Sequence, residues 1–263
     1  MKQTQSVQGT PARSDKGRPQ LTPRDDAILR LIGEQTGYRF DQLQSLLARH
    51  PDTAPKDSSF LSESRTFALL QRWKQLGLAA YDKIYYHDPG WIWLTRKGLA
   101  HVDLALRFLD LYHADLDHLF WINETRTLIE DTYGTRPGFC FESERMLRAT
   151  RERLKAQQKR EPDLWIPFEY RGNHRPDALL RYRLNAEPET REIVTALEIE
   201  LSPKDADTWK KTFQELTRFY DYARYYVAPH VKSSLVKVLE QFQEEEQQQR
   251  PSIYVHDLDQ RLS

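Results

Sequence analysis

"HRPDALL", residues 174–180, and "TALEIELSPK", residues 195–204, are two short apolar runs broken by acids. Read as strands, they make the C-terminal half of the chain a sheet, because successive side chains of a strand point to opposite faces. Leu197, Ile199 and Leu201 then share one face, and Ala196, Glu198 and Glu200 the other. Neighbouring strands are about 5 Å apart, so Asp177 lies beside Glu198 if the two runs pair in register. Carboxylates that close repel one another and are costly to bury ionised without a compensating cation. A hard divalent ion, Mg²⁺ or Mn²⁺, takes carboxylate oxygens as ligands, lowers the pKa of bound water and neutralises charge that develops on a phosphoryl group.

Residues 1–21 are rich in Gln, Ser, Thr, Gly and Pro and are expected to be a disordered tail. Order begins at "TPRDDAILRLIGEQTGY", residues 22–38, where Thr22 suits an N-cap, Pro23 the first helical position, and Asp25 and Asp26 the first turn. Two more helices are expected in "FDQLQSLLARH" (40–50) and "SESRTFALLQRWKQLGL" (62–78), the latter with Phe67, Leu70, Trp73 and Leu76 inward and Gly77 as its stop. "AAYDKIYYHDPGWIWLTRKG", residues 79–98, reads as a hairpin turning at His87–Gly90. A connecting helix is expected over 101–114. From 115 to 263, strand-like and helix-like segments alternate, as in a mixed α/β domain.

Bulk composition narrows the classes. Lys plus Arg and Asp plus Glu number 39 each, so net charge alone neither favours nor excludes a polyanionic partner. One cysteine, Cys140, excludes an internal disulfide framework and a cysteine zinc cluster, and fits a reducing cytoplasm. No apolar run approaches the roughly 20 residues a membrane helix needs, and the N-terminus has no apolar core of the secretory kind. The expectation is a soluble cytoplasmic protein without a membrane partner. The eight histidines form no HxH or HxxxH pair, and GxxxxGK[ST] is absent, which argues against zinc proteases and nucleotide-driven motors.

Three short helices followed by an aromatic hairpin resemble the DNA-binding winged helix-turn-helix over residues 22–100. That resemblance implies a third helix in the major groove presenting Ser62, Ser64, Arg65, Gln71, Arg72 and Lys74, with Lys83, Arg96 and Lys97 reaching phosphate. "RPD" followed by "EIE" and a later lysine resembles the PD-(D/E)xK, restriction-endonuclease-like fold. The fold class expected is therefore α+β, a winged helix (22–100) joined by the 101–114 helix to a nuclease-like α/β domain (115–263).

The combination of "ESER", "HRPDALL" and "ALEIELSPK" behind a winged helix resembles the MobC-type relaxases and replication-relaxation proteins of mobile elements. It implies nicking of DNA at a transfer origin, with Mg²⁺ or Mn²⁺ as cofactor, and with other mobilisation proteins or a second copy of the chain as further candidate partners. By that resemblance Asp177 and Glu198 are metal ligands, Glu144 or Glu200 an additional one, Lys204 the cation polarising water or phosphate, and His174 a supporting or phosphate contact. The motif departs at Glu200, where a lysine is usual, so Lys204, Lys210 or Lys211 would have to supply that charge. The same departure supports an alternative: a non-catalytic DNA-binding accessory factor or transcriptional regulator with a degenerate nuclease domain. A defence nuclease would share the chemistry without origin specificity.

Overall fold

A computed structural model of the chain describes residues 20–52, 59–111, 115–187, 189–246 and 252–258. Its first elements are α1 (Pro23–Gln35), β1 (Gly37–Arg39), α2 (Phe40–Arg49), α3 (Glu63–Gln75), β2 (Ala79–Asp82), β3 (Trp91–Leu94) and α4 (Arg96–His101). Thr22 caps α1 in a reciprocal box with Asp25, as the sequence suggests. Gly77, at φ +70°, ends α3, and the Leu78 amide bonds back to the Trp73 carbonyl. The strands form a three-stranded antiparallel sheet ordered β1-β3-β2. Leu29, Ile32, Leu43, Leu47, Leu70 and Trp73 are among the buried side chains that the three helices pool beneath it.

One carboxylate organises this part. Asp25 is fully buried and accepts hydrogen bonds from Thr22, from Arg72 Nη2 at 2.6 Å and from Trp73 Nε1 at 3.3 Å. Burial raises its carboxyl, but the bonds from Thr22 and the charge of Arg72 outweigh that and hold it below the usual carboxylate range.

The second group of elements is α5 (Leu116–Tyr133), β4 (Cys140–Ser143), α6 (Glu144–Gln158), β5 (Ala178–Arg183), β6 (Glu192–Glu200), α7 (Ala206–Phe219), β7 (Tyr222–Val227), α8 (Pro229–Glu245) and β8 (Ile253–Asp257). Among the described residues the sheet is ordered β4-β5-β6-β7-β8, antiparallel through β6 and parallel beyond it. Parallel neighbours need crossover connections, which α7 and α8 supply. Leu179, Ala196 and Tyr225 pack with Trp209, Phe213 and Leu235 of those helices. Ala178, Leu180 and Leu197 pack on the opposite face with Leu119 and Ile122 of α5. The molecule is thus mixed α+β with two sheets.

The two groups of elements share a core. Trp91 and Trp93 of β3 belong to the same buried cluster as Leu119, Ile122 and Leu197. Polar groups stitch the seam: Asn123 donates to the Gly37 carbonyl, Gln42 to the Phe120 carbonyl, and the buried Arg126 guanidinium meets Glu34 and Glu130.

Several expectations need correction. The 101–114 helix does not form over its described residues beyond α4. Asp103 at φ +52° turns the chain, the Leu104 amide closes onto the Leu99 carbonyl, and residues 105–110 carry no regular structure. Leu104, Leu106 and Phe108, spaced two apart, reach into the first core instead, a period for extended chain rather than helix. Of residues 163–183, expected as one strand, only Ala178–Arg183 form it; 163–177 carry no strand, and Phe168–Tyr170 is a single 3₁₀ turn. Phe67 is not inward but substantially exposed, stacked edge-on with Tyr81. The tail expected over 1–21 lies outside the described residues up to 19, and Leu21 packs on the first core.

Asp25→Ala removes the Asp25 half of the capping box and leaves Arg72 and Trp73 without their acceptor. It should lower the unfolding free energy by about 2–4 kcal/mol in urea titration; a change under about 0.5 kcal/mol, typical of surface substitutions, would contradict this role.

Candidate active site and nucleic-acid surface

Backbone register places the acids. Ala178 of β5 pairs with Leu197 of β6, so Asp177, one residue before β5, comes to the Glu198 end of β6. Pro176 halts the ladder, and the Ile199 amide, past the end of β5, is taken by Asp177 Oδ2 at 2.7 Å. Glu198 and Glu200 follow the alternation expected and lie on the α7–α8 face, where Glu198 pairs in register with Tyr225 of β7. Both glutamates are buried.

Each carboxylate has a nitrogen partner. His118 Nε2, from the first turn of α5, is 3.2 Å from Asp177 Oδ2. His174 Nε2 is 2.6 Å from Glu198 Oε1. Lys204 Nζ reaches Glu200 Oε2 at 2.7 Å, and the Trp209 indole donates to the same oxygen at 3.3 Å. Glu144, half-exposed at the start of α6, lies between Arg175 at 3.0 Å and Arg148 at 3.1 Å. Lys204 is therefore at the site as expected, whereas Lys210 is committed to Glu245 on the far side of α7.

Burial pushes the Glu198 carboxyl up to about 7, against the pull of the His174 bond. Burial lowers His174, but its bond to Glu198 and the nearby acids win and raise it above its ordinary value. His118 behaves alike: burial lowers it, and Asp177, with Asp115 and Glu144, raises it further. Each imidazole is thus shifted toward its protonated form by the carboxylate it faces.

The donor set does not fit a divalent cation as arranged. Among the described residues, no group of three or more His, Cys, Asp or Glu side chains is placed to hold a metal ion. Asp177 opens toward a cavity of about 570 Å³ that is also lined by Asp115, His118, Glu144 and Arg145, while Glu198 and Glu200 turn to the α7–α8 side. One loose end remains. The Tyr225 hydroxyl is buried without a hydrogen-bond partner, and its ionisation is suppressed first by burial and then by Glu198, Glu200 and Asp177.

His118 and Tyr225 are the site residues that the sequence reading missed. Tyr225 was legible in principle, since an alternating "YARYYV" strand beside β6 must set one tyrosine against Glu198. His118 was not, because its partner lies in another element and no local pattern links them.

On the candidate DNA surface, Ser62, Ser64, Arg65 and Lys74 are exposed on or at the start of α3, and Lys83, Arg96 and Lys97 are exposed on and beyond the β2–β3 hairpin. Gln71 is half-buried. Arg72 is tied to Asp25 and is a structural residue rather than a reader of bases. Lys97 donates to the Leu76 carbonyl at the end of α3, and Arg96 stacks over Phe108, so both are partly committed to the fold.

Compared with family models, curated proteins and solved structures, the chain gives no match in any of the three. No described helix is long and apolar enough to cross a membrane.

Glu198 and His174 are both raised in the folded chain, so the fold binds protons that the unfolded chain sheds. Their contribution to stability is full below the unfolded values and is lost as pH rises through the folded ones. Unfolding free energy should fall between about pH 5 and 7, the span over which Glu198 is raised, with a steepest slope of about 1.4 kcal/mol per pH unit for one linked proton. Glu198→Gln should flatten the profile; an unchanged slope in urea unfolding across that range would refute the raised Glu198 carboxyl.

Proposed function

We propose that the chain is a cytoplasmic DNA-binding protein that nicks one strand of a duplex, a site-specific endonuclease of the relaxase kind acting at a mobile element's transfer origin. The observation that carries this reading is the set of acids at the ends of two adjacent central strands, Glu198 and Glu200 buried and Asp177 half-buried. Three carboxylates, two imidazoles and a lysine gathered there are more than a sheet needs to fold, and raised groups such as Glu198, His174 and His118 concentrate at functional sites. The helix–strand–helix–helix–strand–strand order of α1 to β3 supports the winged-helix reading, with α3 as the helix offered to DNA. Asp177 and Glu198 at adjacent strand ends, with a helix at the sheet's start and crossovers after it, support the restriction-endonuclease-like reading of residues 115–263. Mg²⁺ or Mn²⁺ belongs to this reading as the expected cofactor. Other mobilisation proteins and a second copy of the chain belong to it as further partners.

A second reading has an observation of its own. Every site carboxylate already has a nitrogen partner, and no three ligands face one point among the described residues. That arrangement favours an accessory factor or regulator that binds DNA without cutting it.

Supercoiled plasmid carrying the element's origin region separates the two. On the nuclease reading, the chain relaxes it only with added Mg²⁺ or Mn²⁺, and Asp177→Ala and Glu198→Ala, checked for folding by circular dichroism, each lose on the order of 10²-fold or more. Salt-sensitive binding of the same DNA without a nick in either cation, unaltered by both substitutions, would sink that reading and leave the second.

A further inference from the structure

Between α6 and β5 the chain runs for nineteen residues, 159–177, and exposes two large rings near its middle, Trp165 at 69% and Phe168 at 48%. Such rings are costly to leave in water unless something covers them. They do not form a plain greasy patch. The Arg171 guanidinium carbon lies 5.7 Å from the centroids of both Trp165 and Phe168. Phe168 is 5.0 Å from Phe219 of α7, and Arg218 covers Phe219 at 5.2 Å. Rings and guanidinium groups therefore adjoin one another across the surface, Arg171 beside Trp165 and Phe168, Phe168 against Phe219, and Arg218 over Phe219. The strip is held in place. Arg171 Nε donates to the Ile166 carbonyl at 2.7 Å, and Gly172 lets the chain pass Phe219 where a Cβ would come within 2.8 Å of the ring.

The next residues of the same segment turn basic. A hollow of about 240 Å³ is lined by Arg148, Arg151 and Lys155 of α6 and by Arg175, with Glu152 as its one acid. Arg151 is anchored on the carbonyls of Tyr170, Gly172 and His174, while Lys155 is exposed at the rim. Of the neighbouring acids, Glu169 is engaged by Arg181 and Glu215 by the Asn173 amide, while Glu144 pairs with Arg148 and Arg175 at the hollow itself. One residue past Asn173, His174 reaches Glu198, and Asp177 follows.

We propose that this strip and hollow form a binding track for single-stranded DNA, leading to the carboxylate site. Flat rings stack on bases of any sequence but only when those bases are unpaired, and a basic groove alongside follows the phosphates. A duplex keeps its bases stacked on one another and has no use for Trp165. The inference rests on the nuclease-or-binder reading only in taking DNA as the partner. It adds that the DNA beside Glu198 is melted, and it assigns Trp165, Phe168 and Arg171 to the unpaired bases and Lys155 and Arg175 to the phosphates.

Fluorescence anisotropy of the full chain with a labelled oligo(dT) of about 15 nucleotides, a length that covers one such site, tests this without cation or turnover. Trp165→Ala and Phe168→Ala should each weaken single-strand binding by roughly 5- to 100-fold. Trp165→Phe should retain most of the affinity, and binding of a duplex of equal length should stay within about twofold. The double change Lys155→Ala with Arg175→Ala should reduce the salt slope of single-strand binding by about one to two charges. Unaltered oligo(dT) binding in both ring variants would overturn the proposal, as would equal losses on single strand and duplex, which would mean phosphate contact alone. A chain that binds oligo(dT) through Trp165 yet never nicks plasmid upholds the track and sinks the nuclease. One that nicks but ignores the ring changes does the reverse.

Discussion

Glu198 cannot be left alone. A carboxylate buried in the middle of a sheet loses its water, and in this chain the His174 imidazole is the polar partner that meets it at 2.6 Å. The rest of the sheet's edge is arranged around that requirement. Pro176 ends β5 so that the 174–177 segment can bend over β6, Asp177 takes the amide that β5 no longer reaches, and His118 comes down from α5 to match Asp177. Glu200, two residues on, repeats the problem and solves it with Lys204 and Trp209. The cluster is matched pair by pair, each carboxylate with a nitrogen of its own.

Much of this was readable from the chain because strands have a short period. The alternation in "TALEIELS" puts Leu197 and Ile199 on one face and Glu198 and Glu200 on the other, and the structure has them so. Caps were legible for the same local reason, Thr22 with Asp25 and Gly77 after α3. What could not be read was set by distance in the chain. Whether Arg72 faces solvent or Asp25 depends on how α3 crosses α1, and Phe67 was taken for core because helical spacing says which residues share a face but not what meets that face. The strap at 102–110 misled because Leu104, Leu106, Leu109 and Leu111 satisfy more than one period, and Asp103 at positive φ decides between them. That the three acids sit at neighbouring strand positions was legible; that Asp177 opens to the α5 side while Glu198 and Glu200 face α7 and α8, and that two histidines and a lysine pair with them, was not.

On the proposed reading, the segment from 159 to 177 concentrates function-bearing residues in a stretch whose one regular element is a 3₁₀ turn. It has no ladder to satisfy, so its side chains answer to the surface and to α6 and α7 rather than to a pleat. Within it the character changes from aromatic to basic to acid-binding in about ten residues, in the order in which a strand of nucleic acid would meet base platform, phosphate hollow and carboxylates.

Trp91 and Trp93 close the wing-like hairpin and at the same time fill the floor under α5, while Arg126 is clamped between Glu34 on one side of the seam and Glu130 on the other. A seam made of shared indoles and a sealed guanidinium does not hinge easily, since opening it would wet both rings and strand a charge. On the proposed reading the molecule is consequently a ruler: the spacing between a DNA sequence held by α3 and a bond presented to Asp177 and Glu198 would be written into the seam, and any change in the DNA between those two points would have to be absorbed by the DNA.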